Sequence, residues 1–444
     1  MKSKNLSILL GSLASVGLAN LGQAQSSDAL LDKLVQKGIL TQQEATDLRK
    51  EAANDFTKAY QVKSGLPSWV TSLRLGGDFR GRYDMIQGDN EDLRDRHRFR
   101  YRLRAGVFAT MMENFEVGFR LTSGEQQGNF GGDPISGNAT LQNNGSKKFV
   151  WVDLAYARWS PVLSDTMRNA TTIGKMENPF VFSDLVFDAD YTPEGIGSQF
   201  VFAPNDRHGF KLNLGGFVLD EISNSSRDPY FLGAQARWDA KWSPKWDTSM
   251  GVMAFTIYRS DSLISAAVAD VNYGNTREGA AGELAHYFNP VYGDVSVGYS
   301  LEEFPIDGFY PGAFPIRFVA DVMHNPSAPT RNSAFSGGII VGKSGKKGTW
   351  DLSYRYRFIE ADANYEEFVE SDFGAFYPSG GNGYRAGTNL KGHVVKVNYS
   401  PAHSLTVGVS YILAELLQED AFVGPGQDDN TLSSRVLVDA MWKF

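Results

Sequence analysis

Six arginines occupy every second position from Arg94 to Arg104, and Arg80 and Arg82 keep the same parity upstream. On an extended chain successive side chains point to opposite faces, so a spacing of two gathers the whole set on one side. Such a row of guanidiniums is a fixed positive field that draws and orients anions, or the anionic end of a zwitterion. A second stretch, residues 177–194, mixes acids with apolar side chains: Asp184, Asp188, Asp190 and Glu194 beside Phe180, Phe182, Leu185 and Phe187. A loop folded inward needs apolar contacts to hold it, which an exposed loop does not. Its acids would then face the arginine row. Plainer readings stand beside both: a solvated wall neutralised by Asp78, Glu116 and Asp153, and a surface loop with incidental aromatics.

Catalytic chemistry finds little support. The histidines His97, His208, His286, His324, His393 and His403 are scattered and form no metal-spaced pair. There is no Gly-x-Ser-x-Gly elbow and no cysteine nucleophile. Acids recur at Asp89 to Asp92, Asp362 to Asp372 and Asp428 with Asp429. Clusters of this kind bind hard cations in some proteins, but solvated loop charge is the reading taken, so no metal and no cofactor are expected. A formal charge of −8 gives no support for nucleic-acid binding.

The elements that position these residues begin after a secretory signal. Lys2 and Lys4 precede an apolar run from Leu6 to Leu21, and Gly22-Gln23-Ala24 suits cleavage, so residues 1–24 read as a signal peptide. Residues 25–69 read as a helical segment on the periplasmic side. Leu30, Leu31, Leu34 and Val35 share one face; Thr41 and Glu44 make a capping box before a second helix. Ala45, Leu48, Ala52, Phe56 and Ala59 follow a roughly heptad spacing, which serves either self-association or packing within the pair.

From residue 70 the period becomes two. Phe99, Tyr101, Leu103 and Val107 alternate with arginines; Trp350, Leu352, Tyr354, Tyr356 and Phe358 alternate with Asp351, Ser353, Arg355 and Arg357. About 16 such segments recur, with expected starts at residues 71, 95, 114, 148, 168, 194, 207, 229, 246, 291, 314, 333, 347, 385, 403 and 431. Several even-numbered strands end in an aromatic followed by proline, at Trp159-Ser-Pro161, Phe202-Ala-Pro204, Trp242-Ser-Pro244 and Tyr399-Ser-Pro401. Proline stops a ladder, and the aromatic suits a membrane–water interface. Short turns at one end and long polar connections near 123–148, 260–290, 360–385 and 416–431 alternate along the chain.

This pattern predicts an all-β fold: a transmembrane antiparallel β-barrel spanning residues 70–444, with one loop near 177–194 folded inward. No later stretch nears the roughly 18 apolar residues of a membrane helix, and a barrel with one apolar and one polar face has ordinary mean hydropathy, here −0.29. Zero cysteines, 46 Gly, 29 Phe, 19 Tyr and 8 Trp agree with many short strands closed by hydrogen bonds rather than disulfides. An arginine on the lipid face near the midplane costs about 2–4 kcal/mol. Arg80, Arg82, Arg96, Arg98, Arg100, Arg102 and Arg104 are therefore expected to line the lumen, with Arg94 and Arg96 nearest the outer mouth.

With these residues in view the chain resembles the Gram-negative "putative porin" family, similar in style to phosphate-selective porins O and P. The resemblance rests on Leu30-Leu-Asp-Lys-Leu-Val-Gln-Lys-Gly-Ile-Leu-Thr-Gln-Gln-Glu-Ala45, on the arginine-rich strand from Arg94 to Val107, and on the closing strand. Val436, Val438, Ala440, Trp442 and Phe444 alternate before the end, resembling the signal read by the barrel-assembly machinery. The resemblance implies a non-enzymatic, trimeric outer-membrane channel among lipid and lipopolysaccharide, passing small hydrophilic solutes. The alternative is a barrel acting as a surface-binding or structural protein, such as an adhesin or phage receptor.

Overall fold

The computed structural model describes residues 65–90, 94–128, 130–223, 225–268, 274–377, 383–418 and 430–444. The signal, the helical segment up to residue 64 and the acids Glu91, Asp92, Asp428 and Asp429 lie outside them. Contacts divide the chain into Met1–Ser72 and Leu73–Phe444. The first unit contributes a turn and the first residues of strand β1, and the second holds the rest of the barrel.

Sixteen strands form one closed antiparallel barrel. They are β1 (Val70–Gly88), β2 (Arg96–Met111), β3 (Phe115–Gly124), β4 (Phe149–Trp159), β5 (Met167–Lys175), β6 (Glu194–Asn205), β7 (His208–Val218) and β8 (Tyr230–Lys241). There follow β9 (Trp246–Tyr258), β10 (Val291–Leu301), β11 (Phe314–His324), β12 (Ser333–Gly342), β13 (Trp350–Ile359), β14 (Leu390–Tyr399), β15 (Leu405–Leu416) and β16 (Ser433–Lys443). Each pairs with its neighbour in the chain, and β1 closes on β16 from Asp78 opposite Lys443 to Gly88 opposite Ser433. Every strand starts within five residues of the position that the alternation predicts. Among the described residues the only helical pieces are three single 3₁₀ turns.

Closure leaves no unpaired edge, which is the condition for a sheet to survive in hydrocarbon. Parity then sorts the side chains. Phe99, Leu103 and Val107 of β2 are exposed on the outer surface, whereas Arg102 between them is 4% exposed. On β16 Val438 and Trp442 face out and Arg435 is buried; Phe444 beyond it is exposed, its backbone paired with Gly77. Trp442 packs against Phe79 across the closing seam, ring centroids 5.9 Å apart.

The connections are short at one end, at 112–114, 206–207, 242–245 and 400–404, and long at the other, at 125–148, 259–290, 360–389 and 417–432. Strands β4, β8 and β14 stop before their prolines, but Pro204 does not end β6, which runs to Asn205. There the register with β7 shifts between His208 and Phe210, so the proline sits where the ladder has already broken step. The 302–313 connection is longer than its neighbours at the short end, and Phe304 and Tyr310 pack with Phe314 of β11 and Trp350 of β13.

The parity assignment has a direct test. Leu103→Arg should cost about 2–4 kcal/mol in denaturant unfolding of the barrel in lipid vesicles, because it places a charge on the lipid face. No loss would mean that this face of β2 is not in hydrocarbon.

Candidate functional site

The arginine row lies inside the barrel and is matched by carboxylates from three sources. The first is the wall itself. Asp78 of β1 accepts from Arg102 Nη2 at 3.0 Å and Arg104 Nε at 2.7 Å. Asp84, fully buried, pairs with Arg98, stands 3.8 Å from Arg100 and accepts from Arg435 Nε at 2.9 Å. Arg82 holds Asp439 of β16 at 2.7 Å. Glu116 meets Arg158 and Tyr156, and Asp153 meets Arg120. Charges removed from water need partners of this kind, since an unpaired one costs several kcal/mol. Arg80 differs. Its Nη2 reaches Asn138 Oδ1 at 2.8 Å, and among the described residues no carboxylate lies within ion-pair distance. Arg96 is exposed at the start of β2.

The second source is the 176–193 loop, which crosses the barrel interior. Phe180, Leu185, Val186 and Phe187 are buried against Phe217, Phe231, Met253 and Phe255 of β7 to β9. The seat is cut by glycines. A Cβ on Gly197 of β6 would lie 2.9 Å from Pro179, and one on Gly215 of β7 or Gly233 of β8 would lie 2.8 or 3.1 Å from the Phe180 ring. Hydrogen bonds then stitch the loop down. Gln199 Nε2 donates to Pro179 O at 2.7 Å, and Gln235 both accepts from Val181 N at 2.9 Å and donates to Val181 O at 2.5 Å. Held this way, Asp190 receives Arg102 Nη1 at 2.7 Å and Arg104 Nη1 at 3.4 Å, while Asp184 pairs with Arg357. Glu194 is placed elsewhere: it is the first residue of β6, largely exposed, and bonds Lys175 at 3.0 Å.

The third source overturns the expectation for Asp362 to Asp372, which are not solvated charges of an outer loop. Within the 360–389 connection, residues 360–377 fold into the barrel and bury Tyr365, Phe368, Val369 and Phe373 in the same apolar cluster. Burial of that area outweighs leaving the loop in water. It is tied to the 176–193 loop. Asp188 N donates to Phe368 O at 2.6 Å, Ser371 N to Asp188 Oδ2 at 2.8 Å, and Asn364 Nδ2 to Leu185 O and Val186 O at 2.9 Å. The 259–290 connection braces it from behind through Asn275, Thr276 and Arg277, which bond Asp362 and Glu366. Asp372 then meets Arg82 at 2.8 Å and Arg435 at 3.1 Å, and Glu370 meets Arg357 and Lys396, the latter at 3.5 Å.

Three of the loop carboxyls shift with their surroundings. Burial opposes ionisation of Asp372, but Arg82 and Arg435 hold it far below the usual carboxylate range. Asp184 is likewise lowered against burial, by Arg357 and Lys396. Asp188 goes the other way: burial, then the neighbouring Asp190, pushes its carboxyl well up.

Two cavities follow the arginine wall. A larger one of about 650 Å³ is bounded by Arg102, Arg104, Asp153, Lys175, Asp190 and Glu194 with the aromatics Trp151, Tyr191 and Phe368. A narrower one of about 250 Å³ is bounded by Arg80, Arg82, Lys396 and Asp439 on the wall and Asp184, Asp188, Asp190, Glu370, Ser371 and Asp372 on the two loops. Asp190 borders both. Lys396, Glu370 and Asp372 were not among the residues expected from sequence. Their signal was present in the acids of 360–377 set among Tyr365, Phe368, Val369, Phe373, Phe376 and Tyr377.

Adjacent glycines test the seat. Gly215→Ala, inward against Phe180, should destabilise by about 1–3 kcal/mol, whereas Gly216→Ala, outward in ordinary contact with Leu232, should stay within about 0.5 kcal/mol. Thermal unfolding of the two variants compares them directly; equal effects would mean that the loop is not seated there.

Residues 89–266 match the family model described as "Putative porin". No curated protein matches the chain. Among solved structures, Pseudomonas putida OprB is similar at 10% identity and a TM-score of 0.50, over 87% of this chain and 96% of that one. OmpT of Vibrio cholerae, solved in a trimer form, gives 12% identity and 0.42 over 84% and 99%. A mutant of the Rh. blastica porin gives 11% and 0.41 over 84% and 100%. With its closed barrel of sixteen strands, the chain has the fold of an outer-membrane β-barrel, and over residues 89–266 it is similar to the "Putative porin" family.

Proposed function

We propose that the barrel is a passive diffusion channel for small hydrophilic solutes, and that its arginine row acts through charge pairs rather than as a free positive wall. The observation that carries this is the pairing itself: Arg82, Arg98, Arg102 and Arg104 each meet at least one carboxylate, and Asp190 meets two of them from the loop side. Wall cations and loop acids are in direct contact, so the path runs beside paired charges whose field points from wall to loop. Polar solutes able to turn a dipole into that field are favoured, apolar ones are not. Anion preference from the arginines is largely cancelled, and Arg80, which meets Asn138 rather than a carboxylate, keeps its charge less opposed than Arg82 or Arg102.

No catalytic role is assigned. For assembly we propose a homotrimer among lipid and lipopolysaccharide. Asn169, Thr171 and Ser198 sit on the outer surface of β5 and β6, bonded to one another at 2.9–3.1 Å. Polar groups on a face otherwise built for hydrocarbon are better covered by protein. Asn169→Leu with Ser198→Leu should loosen heat-resistant oligomers on gels; unchanged bands would count against this face.

Single-channel recording in planar bilayers tests the transport reading. Stable conductance steps are expected, and a protein silent at every voltage would overturn it. Asp190→Asn removes one counter-charge from Arg102 and Arg104, so the reversal potential in a salt gradient should move toward anion preference. An unmoved potential would remove the paired-charge account of selectivity.

A further inference from the structure

The narrower cavity is bounded by two loops in comparable measure. The 176–193 loop supplies Asp184, Asp188 and Asp190, and the 360–389 loop supplies Glu370, Ser371 and Asp372. Nothing in the barrel architecture requires the second contribution, because a long outer connection is normally solvated. Here its acids are spent on wall cations of the path. Asp372 bridges Arg82 of β1 and Arg435 of β16, and Glu370 bridges Arg357 of β13 and Lys396 of β14. Arg82 stands on β1, next to β2, whose Arg102 and Arg104 Asp190 holds, and Arg435 on β16 just beyond it, while Arg357 and Lys396 lie further round the wall on β13 and β14.

The two loops also form a single body. Besides the backbone and Asp188 bonds, Phe187 and Phe368 lie 5.2 Å apart and Tyr191 and Phe368 5.3 Å apart. The apolar cluster they share runs onto the walls from β7 to β16. That cluster fills interior space beside those strands and leaves the path along the arginine wall. A plug built this way cannot shift one loop without the other.

We propose that the 360–389 loop is a second jaw of the constriction, and that Glu370 and Asp372 set ion selectivity together with Asp190. This rests on the channel reading and deepens it. The loop is a selectivity element and not only a brace, because its carboxylates, and not merely its apolar residues, border the path.

The chain has no cysteine, so single thiols report cleanly. Ser371→Cys on the second jaw and Ala189→Cys on the first are each modified, in open channels, with a cationic methanethiosulfonate. Both should drop to a lower conductance level on modification. A drop at Ala189→Cys with none at Ser371→Cys would overturn the second jaw while leaving the channel intact. Glu370→Gln and Asp372→Asn should each move the reversal potential toward anions, as Asp190→Asn does; folded variants with unchanged potential would also overturn it. Because Asp372 grips two buried arginines, its variant is at risk of misfolding, and the thiol pair decides in that case. Silence of the unmodified protein would instead refute the channel reading itself.

Discussion

Hydrocarbon offers no hydrogen bonds to a backbone, and this constraint governs the barrel from its first strand to its last. It demands that β1 meet β16, and the closed ladder fixes the parity of every strand. Parity in turn sends apolar residues to lipid and confines charges to the interior. With so many arginines confined there, the interior has to supply carboxylates. Asp78, Asp84 and Asp439 come from the wall, Asp190 and Asp184 from one loop, Glu370 and Asp372 from another. The inward loops are thus an answer to an electrostatic problem that closure creates.

A second demand is met by the same loops. A barrel of this size has no core of its own across the lumen, and side chains from facing walls do not meet. The loops bring one. Phe180, Phe187, Tyr365 and Phe368 pack with Phe217, Phe231 and Phe255, so that apolar burial fixes where the acids stand. Glycines on β6, β7 and β8 let this core approach the wall backbone. Charge pairing and apolar packing here reinforce each other: neither alone would hold a flexible connection against the loss of its conformational entropy.

The fold was legible almost strand for strand, because period-two alternation is a local signal and barrel strands follow one another in space as in sequence. The arginine face was legible for the same reason. Two of its partners, Asp78 and the loop acid Asp190, were legible with it; the others were not, since ion pairs such as Arg82 with Asp372 or Arg435 with Asp84 join residues hundreds of positions apart. The 360–389 loop carried the mixture of aromatics and acids that marked 177–194, but the acids alone drew the reading of solvated charge. Inward glycines at 197, 215 and 233 are a further signal that only strand register makes readable. Pro204 misled in the opposite direction, as a stop placed where β6 continues.

The proposed lumen is a water-filled path with its charges paired along it. The reversal potential of the unmodified channel in a potassium chloride gradient tests it most directly. Paired charges predict stable conducting steps with a small reversal potential, its sign set by the few uncompensated groups. A large potential of anion sign would show a free arginine wall, and would contradict the account.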